Sequence, residues 1–273
     1  MRSEFDLIKN LPELTEKVLS SLPPSKWHKK AVKLIDENPD GKFAVACSGG
    51  VDSTLLLLLA KSYLRRKPIV LHVNHHSRGI DSDNDAIFVR DLAQKLGLRQ
   101  ITLDITDPSK LDEGSLHDQR LHLLKSAMGE EGIQFLLQGH NADDVAETLL
   151  WRLPRGVCVE QLSAPRAVSK HQDVVFIRPL LTISAAEIKT IMLSTGIPWR
   201  EDTSNQSSRY LRNRLRKEVV PQWKEVMDRN LIKGINTSRD LLEEVDDLLE
   251  DLSADFLLKL ASSDKIPLKE FRK

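Results

Sequence analysis

The chain reads FAVACSGGVDST at residues 43–54, and this stretch decides the fold. Residues 43–47 form a short apolar strand, and an apolar helix is predicted from Val51 onward. The two glycines between them let the backbone turn tightly and let anionic oxygens approach its amide groups. The first turn of the helix adds unpaired N–H groups and the positive end of the helix dipole. A strand, a glycine turn and a helix in this order predict a phosphate-binding loop at Gly49 and Gly50.

Three hydroxyl side chains and one carboxylate belong to this loop. Ser48, Ser53 and Thr54 offer hydrogen-bond donors to a phosphate. Asp52 has the wrong charge to bind phosphate directly, so we expect it to hold Mg²⁺ or to orient the loop. The G-x-x-x-x-G-K-[ST] spacing of a Walker A loop is absent. The alternative interpretation is a plain strand-to-helix turn with a serine cap.

From residue 43 onward, predicted strands alternate with predicted helices. The strands are expected at residues 43–47, 69–74, 99–104, 134–138 and 174–177. The helices are expected at residues 51–64, 83–96, 113–128, 143–153 and 184–195. This alternation predicts the α/β class, with a doubly wound parallel sheet and helices on both faces. Ligands bind such sheets at the carboxyl ends of the strands.

Three segments are expected along the chain. Residues 1–40 are predicted to be a peripheral helical extension, and residues 41–205 to be the ligand-binding α/β domain. The strands stop after residue 200, so residues 206–273 are predicted to form a small helical C-terminal domain with a break near Pro221. Its last helix is expected at residues 236–261, where leucines alternate with many acids. We expect so acidic a helix to be a poor surface for RNA.

Composition excludes several classes of protein. Lys and Arg total 40 and Asp and Glu total 40, so a strongly basic nucleic-acid-binding protein is excluded, although a local basic patch is not. The two cysteines, Cys47 and Cys158, cannot build a disulfide framework or a cysteine-based zinc ribbon. The first residues, MRSEFDLIKNLPEL, are not typical of a signal peptide or an anchor, and the apolar run at 55–60 is too short to span a bilayer. We therefore expect a cytoplasmic protein without a membrane partner.

A second strand-to-helix motif reads QGHNADDVAET at residues 138–148. His140 follows the predicted strand and so lies at the ligand-binding edge of the sheet. Asp143, Asp144 and Glu147 crowd the first turns of the helix, where they complement the helix dipole. Asp144 and Glu147 are three residues apart and share one helix face. Such a pair can bind Mg²⁺ or an amine, which is the functional alternative to a purely dipolar role.

A basic stretch reads RYLRNRLRK at residues 209–217. Its cations form a cluster that could contact RNA phosphates: Arg209, Arg212, Arg214, Arg216 and Lys217. The alternative is that some of these arginines pair with Asp202 or Glu201 and hold the domain boundary together. Both roles stay open at this point.

These motifs resemble those of a known group of enzymes. The SGGVDS stretch at 48–53 is similar to the signature of the PP-loop ATP pyrophosphatases. The G-H-x-x-D-D-x-x-E-T motif at 139–148 resembles one branch of that group, the tRNA(Ile)-lysidine synthases. IRPLL at 177–181 and the D-x-S-N…R-N-x-[LIV]-R pattern at 202–216 carry the same resemblance, which covers about residues 42–221.

The resemblance implies an ATP-dependent carbon–nitrogen ligase that acts on tRNA. Members of this branch split ATP into AMP and pyrophosphate, transfer the AMP to C2 of the wobble cytidine of an isoleucine tRNA, and let free lysine displace the AMP. The cofactors implied are ATP and Mg²⁺. A homodimer is a further possibility, because a second copy would add RNA-binding surface.

The resemblance also implies roles for individual residues. Those that hold ATP would be Ser48, Gly49, Gly50, Asp52, Ser53, Thr54 and His140. The catalytic set would be Asp52, His140, Asp144 and Glu147, and the candidate Mg²⁺ ligands are Asp52 and Asp143. Asp144 and Glu147 would also hold the lysine or a metal, and tRNA would contact Arg120, Arg209, Arg212, Arg214 and Arg216.

The chain departs from the family pattern in three places. Asn141 stands where a second histidine is frequent. His117 replaces one of two arginines in the helix before the second motif, while Arg120 is retained. Cys158 and Gln161 replace two glycines of a glycine-rich loop.

Two alternatives remain. The first is another PP-loop enzyme that modifies tRNA with a different amine or by thiolation, although two distant cysteines count against thiolation. The second is a non-catalytic descendant that binds nucleotide or RNA.

Overall fold

The computed structural model describes residues 10–76, 79–105, 113–171, 174–201 and 211–261. Within these residues the chain forms one six-stranded sheet with helices on both faces. The strands are β1 (Phe43–Ala46), β2 (Ile69–Asn74), β3 (Gln100–Asp104), β4 (Phe135–Gln138), β5 (Val168–His171) and β6 (Val174–Ile177). The first helices are α1 (Leu11–Ser21), α2 (Lys29–Glu37), α3 (Val51–Tyr63), α4 (Ile80–Lys95) and α5 (Glu113–Glu131). The others are α6 (Ala142–Arg152), α7 (Val159–Leu162), α8 (Ala185–Thr195), α9 (Leu211–Arg214), α10 (Val220–Val226) and α11 (Leu231–Ala261).

The sheet confirms the predicted α/β class. Its strand order is β3-β2-β1-β4-β6-β5, and the first five of these strands run parallel. The chain moves outward from β1 in one direction and then returns to place β4 on its other side. The crevice for a ligand on a doubly wound sheet opens at this reversal, so the carboxyl ends of β1 and β4 are the expected site.

The edge strand β5 was not predicted. It pairs antiparallel with β6, from Val168 opposite Ile177 to His171 opposite Val174. Its sequence, VSKH, is short and mixed in polarity, so it lacks the apolar run that marked the other strands. The prediction of a wholly parallel sheet is therefore corrected at this edge.

Two layers of apolar side chains cover the sheet. Helix α3 is buried from Leu55 to Leu59 and packs on one face together with α1, α2, α4 and α8. Helix α5 covers the other face through Leu124 and Met128. Helix α1 contributes Val18 and helix α2 contributes Ile35 to the first layer, so these two helices lie against the core and are not peripheral.

The described chain from Leu211 to Ala261 is mostly helical, as predicted. Pro221 lies in the first turn of α10, and a π-helical turn at Leu215–Val219 connects α9 to it. Helix α11 begins at Leu231, earlier than expected, and packs Ile232 and Ile235 against Val145 of α6. No helix within the described ranges combines the length and the apolar composition needed to cross a membrane.

An amphipathic helix usually buries its apolar side, and the middle of α11 does the opposite. Leu241 and Leu248 are 57% and 58% exposed, and Val245 and Leu252 are exposed beside them. Glu243 is only 3% exposed, and Asp246 is also buried. The helix therefore turns its acidic side toward the protein.

Ion pairs hold the acidic side of α11 in place. Lys30 of α2 donates to Glu243 at 2.8 Å and to Asp247 at 2.7 Å. Arg166, in the loop before β5, donates to Asp247 at 3.0 Å and also pairs with Asp246. We call these ion pairs of Lys30 and Arg166 with α11 the charge clamp. They fix α11 against residues far away in the sequence.

Arg239 lies at the centre of this clamp. It is 1% exposed and pairs with Glu243 and Asp240, and its Nη2 lies 3.3 Å from Nε2 of His28. His28, Asp240 and Glu243 form a group of possible metal ligands within the part of the chain that the structure describes. The guanidinium already supplies the positive charge there, so we do not interpret this group as a metal site.

Candidate functional site

The loop after β1 is braced by its own hydroxyl groups. Ser53 Oγ donates to the carbonyl of Gly50 at 3.1 Å and accepts from the backbone N–H of Ser48 at 3.2 Å. The hydroxyls of Ser48 and Ser53 lie 3.1 Å apart, and the backbone N–H of Gly50 donates to Ser48 Oγ at 3.3 Å. Thr54 Oγ1 donates to the Gly49 carbonyl at 3.1 Å. The predicted phosphate loop is thus a fixed turn at the start of α3.

Gly49 is needed in this turn for two reasons. Its φ of +89° lies in the left-handed region, which side chains rarely adopt. A Cβ atom there would also lie 3.2 Å from Phe88 and 3.3 Å from Arg200. Its carbonyl accepts a hydrogen bond from the backbone N–H of Arg200 at 2.8 Å. The loop is therefore fastened to the segment after α8.

The second motif lies directly beside the first. Asn141, the N-cap of α6, accepts from the backbone N–H groups of Asp143 and Asp144 and donates through Nδ2 to Asp52 Oδ1 at 3.1 Å. Asp144 completes a capping box by accepting from the backbone N–H of Asn141 at 2.9 Å. Where the family frequently has a second histidine, Asn141 joins the two loops.

Gly139 allows this close approach. A Cβ atom at Gly139 would lie 3.1 Å from the carbonyl carbon of Asp52 and equally close to the N and Cα atoms of Ser53. All three atoms belong to the backbone of the phosphate loop, so they cannot yield as a flexible side chain could.

The acid pair of α6 binds an arginine. Arg216 donates to Glu147 Oε2 at 3.0 Å and to Asp144 Oδ1 at 3.3 Å, and a further hydrogen bond joins it to the second oxygen of Glu147. Glu147 is 2% exposed, so its charge depends on such partners. The predicted pair therefore exists, and one predicted tRNA-contacting arginine lies on it.

Asp143 points away from this pair. Its Oδ2 accepts from the backbone N–H of Ala185 at 2.8 Å, and its Oδ1 accepts from Lys224 Nζ at 3.1 Å. Both oxygens are therefore engaged with α8 and α10. Asp143 connects elements of the fold, a role that the spacing of the motif did not reveal.

Burial perturbs two titratable groups of the phosphate loop. Desolvation and the nearby charge of Asp144 raise the pKa of Asp52 to about 6, against the opposing effects of Asn141 and Arg216. Burial raises the pKa of the Cys47 thiol to about 11, so this thiol stays protonated at neutral pH. A carboxyl that titrates near neutrality in a cleft is typical of a functional site.

Two adjoining cavities open at the carboxyl ends of the strands. The larger, about 670 Å³, extends over the ends of β1 and β2 toward α4 and the residues after α8. The smaller, about 140 Å³, lies between the ends of β1 and β4. Ser48, Asp52 and Arg120 line both cavities. Burial lowers the pKa of Arg120, whose guanidinium brings a cation from α5 to this junction.

The structure brings together most of the residues predicted for the site. The phosphate loop, His140, the acid pair, Arg120 and Arg216 lie at this edge of the sheet. Arg209 and the side chain of Arg212 lie outside the described residues, and Arg214 is exposed. Lys189, Trp199, Arg200 and Gln138 also line the cavities and were not predicted for the site. Only the position of Gln138, at the end of a predicted strand, could have indicated it.

Gly139→Ala should weaken ATP binding about tenfold to a hundredfold, because the added methyl group pushes the phosphate loop away from the second motif. Isothermal titration of ATP into the variant measures the effect. Gly129→Ala is the matched control, since Gly129 lies in α5 with no atom within 4 Å of the new Cβ atom. An unchanged affinity in folded Gly139→Ala protein contradicts the proposed contact.

Comparisons with known proteins agree with this geometry. The family model of the PP-loop domain matches residues 23–223. Relatives described as tRNA(Ile)-lysidine synthase include proteins from Porphyromonas gingivalis, 29% identical over 95% of this chain, and Symbiobacterium thermophilum, 34% identical over 79%. The chain covers 56% and 46% of these two proteins, or about half the length of the curated relatives it matches. The resemblance carried by the motifs is thus confirmed.

A solved structure shows the same fold. The U34-tRNA thiolase NcsA from Methanococcus maripaludis, solved with its [4Fe-4S] cluster, superposes with a TM-score of 0.60. The match covers 88% of this chain and 78% of that protein at 19% sequence identity. The family match spans the sheet, both loops and the acid pair, and it shows that the chain belongs to the PP-loop domain family.

Proposed function

We propose that this chain is an ATP-dependent ligase that makes lysidine at the wobble cytidine of an isoleucine tRNA. The observation that carries the proposal is the juxtaposition of the phosphate loop with the acid pair across Gly139 and Asn141. This arrangement places an anion-binding turn beside carboxylates that suit an amine. The named relatives support the same chemistry.

The phosphate loop would hold the pyrophosphate end of ATP. Its backbone N–H groups and the start of α3 neutralise phosphate charge, and Ser48, Ser53 and Thr54 hold the turn in shape. Arg120 would add a cation at the junction of the two cavities. The adenosine of ATP would extend into the larger cavity, which has about 670 Å³ of space beside the loop.

The proposed reaction consists of two bond exchanges. The C2 oxygen of cytidine attacks the α-phosphorus, the bond to the leaving pyrophosphate breaks, and an adenylated tRNA forms. The ε-amine of lysine then attacks C2, the C2–O bond breaks, and AMP leaves as the amine loses a proton. Positioning and charge neutralisation supply most of the rate in such transfers.

Asp52 fits a Mg²⁺ ion, and Asp143 does not. Asp52 lines both cavities beside the loop, and carboxylate and phosphate oxygens are ligands that Mg²⁺ prefers. Both oxygens of Asp143 are engaged by Ala185 and Lys224, so we leave Asp143 out of the proposed metal site. When bound, Mg²⁺ supplies charge neutralisation to the departing pyrophosphate.

Asp144 and Glu147 remain our proposed site for the α-ammonium group of lysine. Arg216 balances their charge in this structure, and lysine binding would replace part of that contact. Thiolation is disfavoured, because Cys47 and Cys158 are far apart in the sequence and do not form a close-spaced pair. Cys47 is also buried and protonated, which makes it a poor nucleophile, whereas Cys158 lies exposed in the loop before α7.

The purified chain should release pyrophosphate from ATP only when tRNA is present, and labelled lysine should enter the RNA. Asp52→Ala protein serves as the inactive control. If pyrophosphate is released with tRNA but no lysine enters the RNA, the adenylation step stands and lysine is not the nucleophile. Folded protein that binds tRNA yet releases no pyrophosphate would favour the non-catalytic descendant.

A further inference from the structure

Gln138 carries a buried polar atom that the fold leaves unmatched. It is the last residue of β4 and is 9% exposed. Its Oε1 atom has no hydrogen-bond partner within the described part of the chain. A buried acceptor without a donor is unfavourable, so such atoms are rare unless a bound molecule supplies the hydrogen bond.

The register of the sheet places this amide in the site. Ala46 of β1 is aligned with Leu71 of β2 on one side and with Gln138 of β4 on the other. Ala46 and Leu71 both pack on the face covered by α5. Gln138 is aligned with Ala46, so its side chain lies on the same face of the sheet. Because Ala46 has only a methyl group, the three aligned residues leave an open surface at the edge of the sheet, which we call the floor. Its end at Leu71 is apolar, and its end at Gln138 is polar.

The two cavities divide along the same floor. The larger cavity includes the Leu71 end, and Gln138 lines only the smaller one, together with Asp52 and His140. With ATP extended from the phosphate loop into the larger cavity, the adjoining smaller cavity is left for the group that attacks its α-phosphorus. The amide of Gln138 therefore faces the second substrate.

We propose that Gln138 is a specificity-determining residue that reads the reacting base. Its Oε1 accepts a hydrogen bond from the exocyclic amine of the wobble cytosine while the base presents its C2 oxygen to ATP. The inference rests on the proposed function and deepens it. Uracil has an oxygen in place of that amine, so the same contact would favour cytidine. The ε-amine of lysine and the amine of adenine share this donor chemistry, and the experiment separates them.

The test replaces Gln138 by methionine, which is similar in size but has no amide oxygen to accept the hydrogen bond. Gln138→Met should lower kcat/KM for tRNA by about tenfold to a hundredfold in pyrophosphate release measured without lysine. The KM for ATP and for lysine should stay unchanged. Gln134→Met, at the exposed position just before β4, is the matched control and should leave all three constants unchanged.

A substrate lacking the amine makes the test specific. A tRNA transcript with 2-pyrimidinone at the wobble position should lose activity with the wild-type chain. Gln138→Met should add no further loss on that transcript, because the two changes remove one shared hydrogen bond. Additive losses would overturn the proposal.

Other outcomes would also overturn it. A rise confined to the KM for lysine would assign the amide to the nucleophile. A rise confined to the KM for ATP, absent with inosine triphosphate, would assign it to adenine. Unchanged kinetics would leave Gln138 a structural residue. A wild-type chain that releases no pyrophosphate with any tRNA would instead contradict the proposed function itself.

Discussion

Asp52→Asn should lower pyrophosphate release by about a hundredfold to a thousandfold and, at neutral pH, should make the folded chain more stable. The loss of rate follows from removing the carboxylate that lines both cavities beside the phosphate loop. The gain in stability follows from the environment of that carboxylate. Burial and the charge of Asp144 raise its pKa to about 6, so the ionised form is held at a cost to the fold.

The sign of the pH dependence follows from proton binding. Between about pH 4 and pH 6 the native state binds a proton at Asp52 more tightly than the unfolded chain does, so this group makes stability fall as the pH rises. At pH 7 the resulting penalty is about 3 kcal/mol, and asparagine removes it. The amide oxygen that the substitution introduces would still accept the hydrogen bond from Asn141, so the connection between the loops survives.

Chemical denaturation at pH 7.5 and pH 4 measures this effect. The free energy of unfolding of Asp52→Asn should exceed that of the wild type at pH 7.5, and the difference should become small near pH 4. Asp228→Asn, an exposed acid between α10 and α11, is the control and should change neither activity nor stability. A variant that loses stability at pH 7.5 would mean that the ionised carboxylate stabilises the loop.

Arg239→Ala should destabilise the chain by about 3–5 kcal/mol, because it leaves a buried carboxylate without its nearest cation. The side chain of Glu243 is buried, and among the described residues Lys30 would remain as its ion-pair partner. For a chain of this size the loss corresponds to a fall of roughly 10 °C in Tm. Differential scanning calorimetry measures it.

Two further variants decide the cause. Arg65→Ala removes an exposed arginine that pairs with Asp40 at 3.5 Å, and it should cost less than about 0.5 kcal/mol. The double variant Arg239→Met with Glu243→Leu removes both buried charges and should recover much of the lost stability. If Arg239→Ala melts with the wild type, the buried Glu243 does not depend on Arg239 to balance its charge.

The sequence predicted the elements whose signals are local. The glycine turn at Gly49 and the motif at residues 138–148 each mark a predicted strand-to-helix junction, and the doubly wound topology brings the ends of β1 and β4 together. The phosphate loop and the acid pair were therefore predictable as neighbours. Their roles in binding and catalysis stay predictions.

The remaining features depend on contacts between residues distant in sequence. Arg216 reaches Glu147 across 69 positions, and the spacing of neither motif indicates that pairing. Gln138 looked like an ordinary strand end, because only the register with Ala46 reveals the floor that it completes. The periodicity of α11 shows that it has two faces, but the cations of Lys30 and Arg166 decide which face is turned inward.

The reversed orientation of α11 changes which of its positions tolerate substitution. In most surface helices, leucines are buried and tolerate few substitutions, whereas acids are exposed and tolerate many. Here, within the isolated chain, Leu241 and Leu248 can accept polar residues at little cost, while Glu243 and Asp246 are fixed by their partners. A library selected for folding alone would therefore enrich polar residues at the leucine positions and retain the acids. In the middle of this helix, charge matching constrains the sequence more than hydrophobicity does.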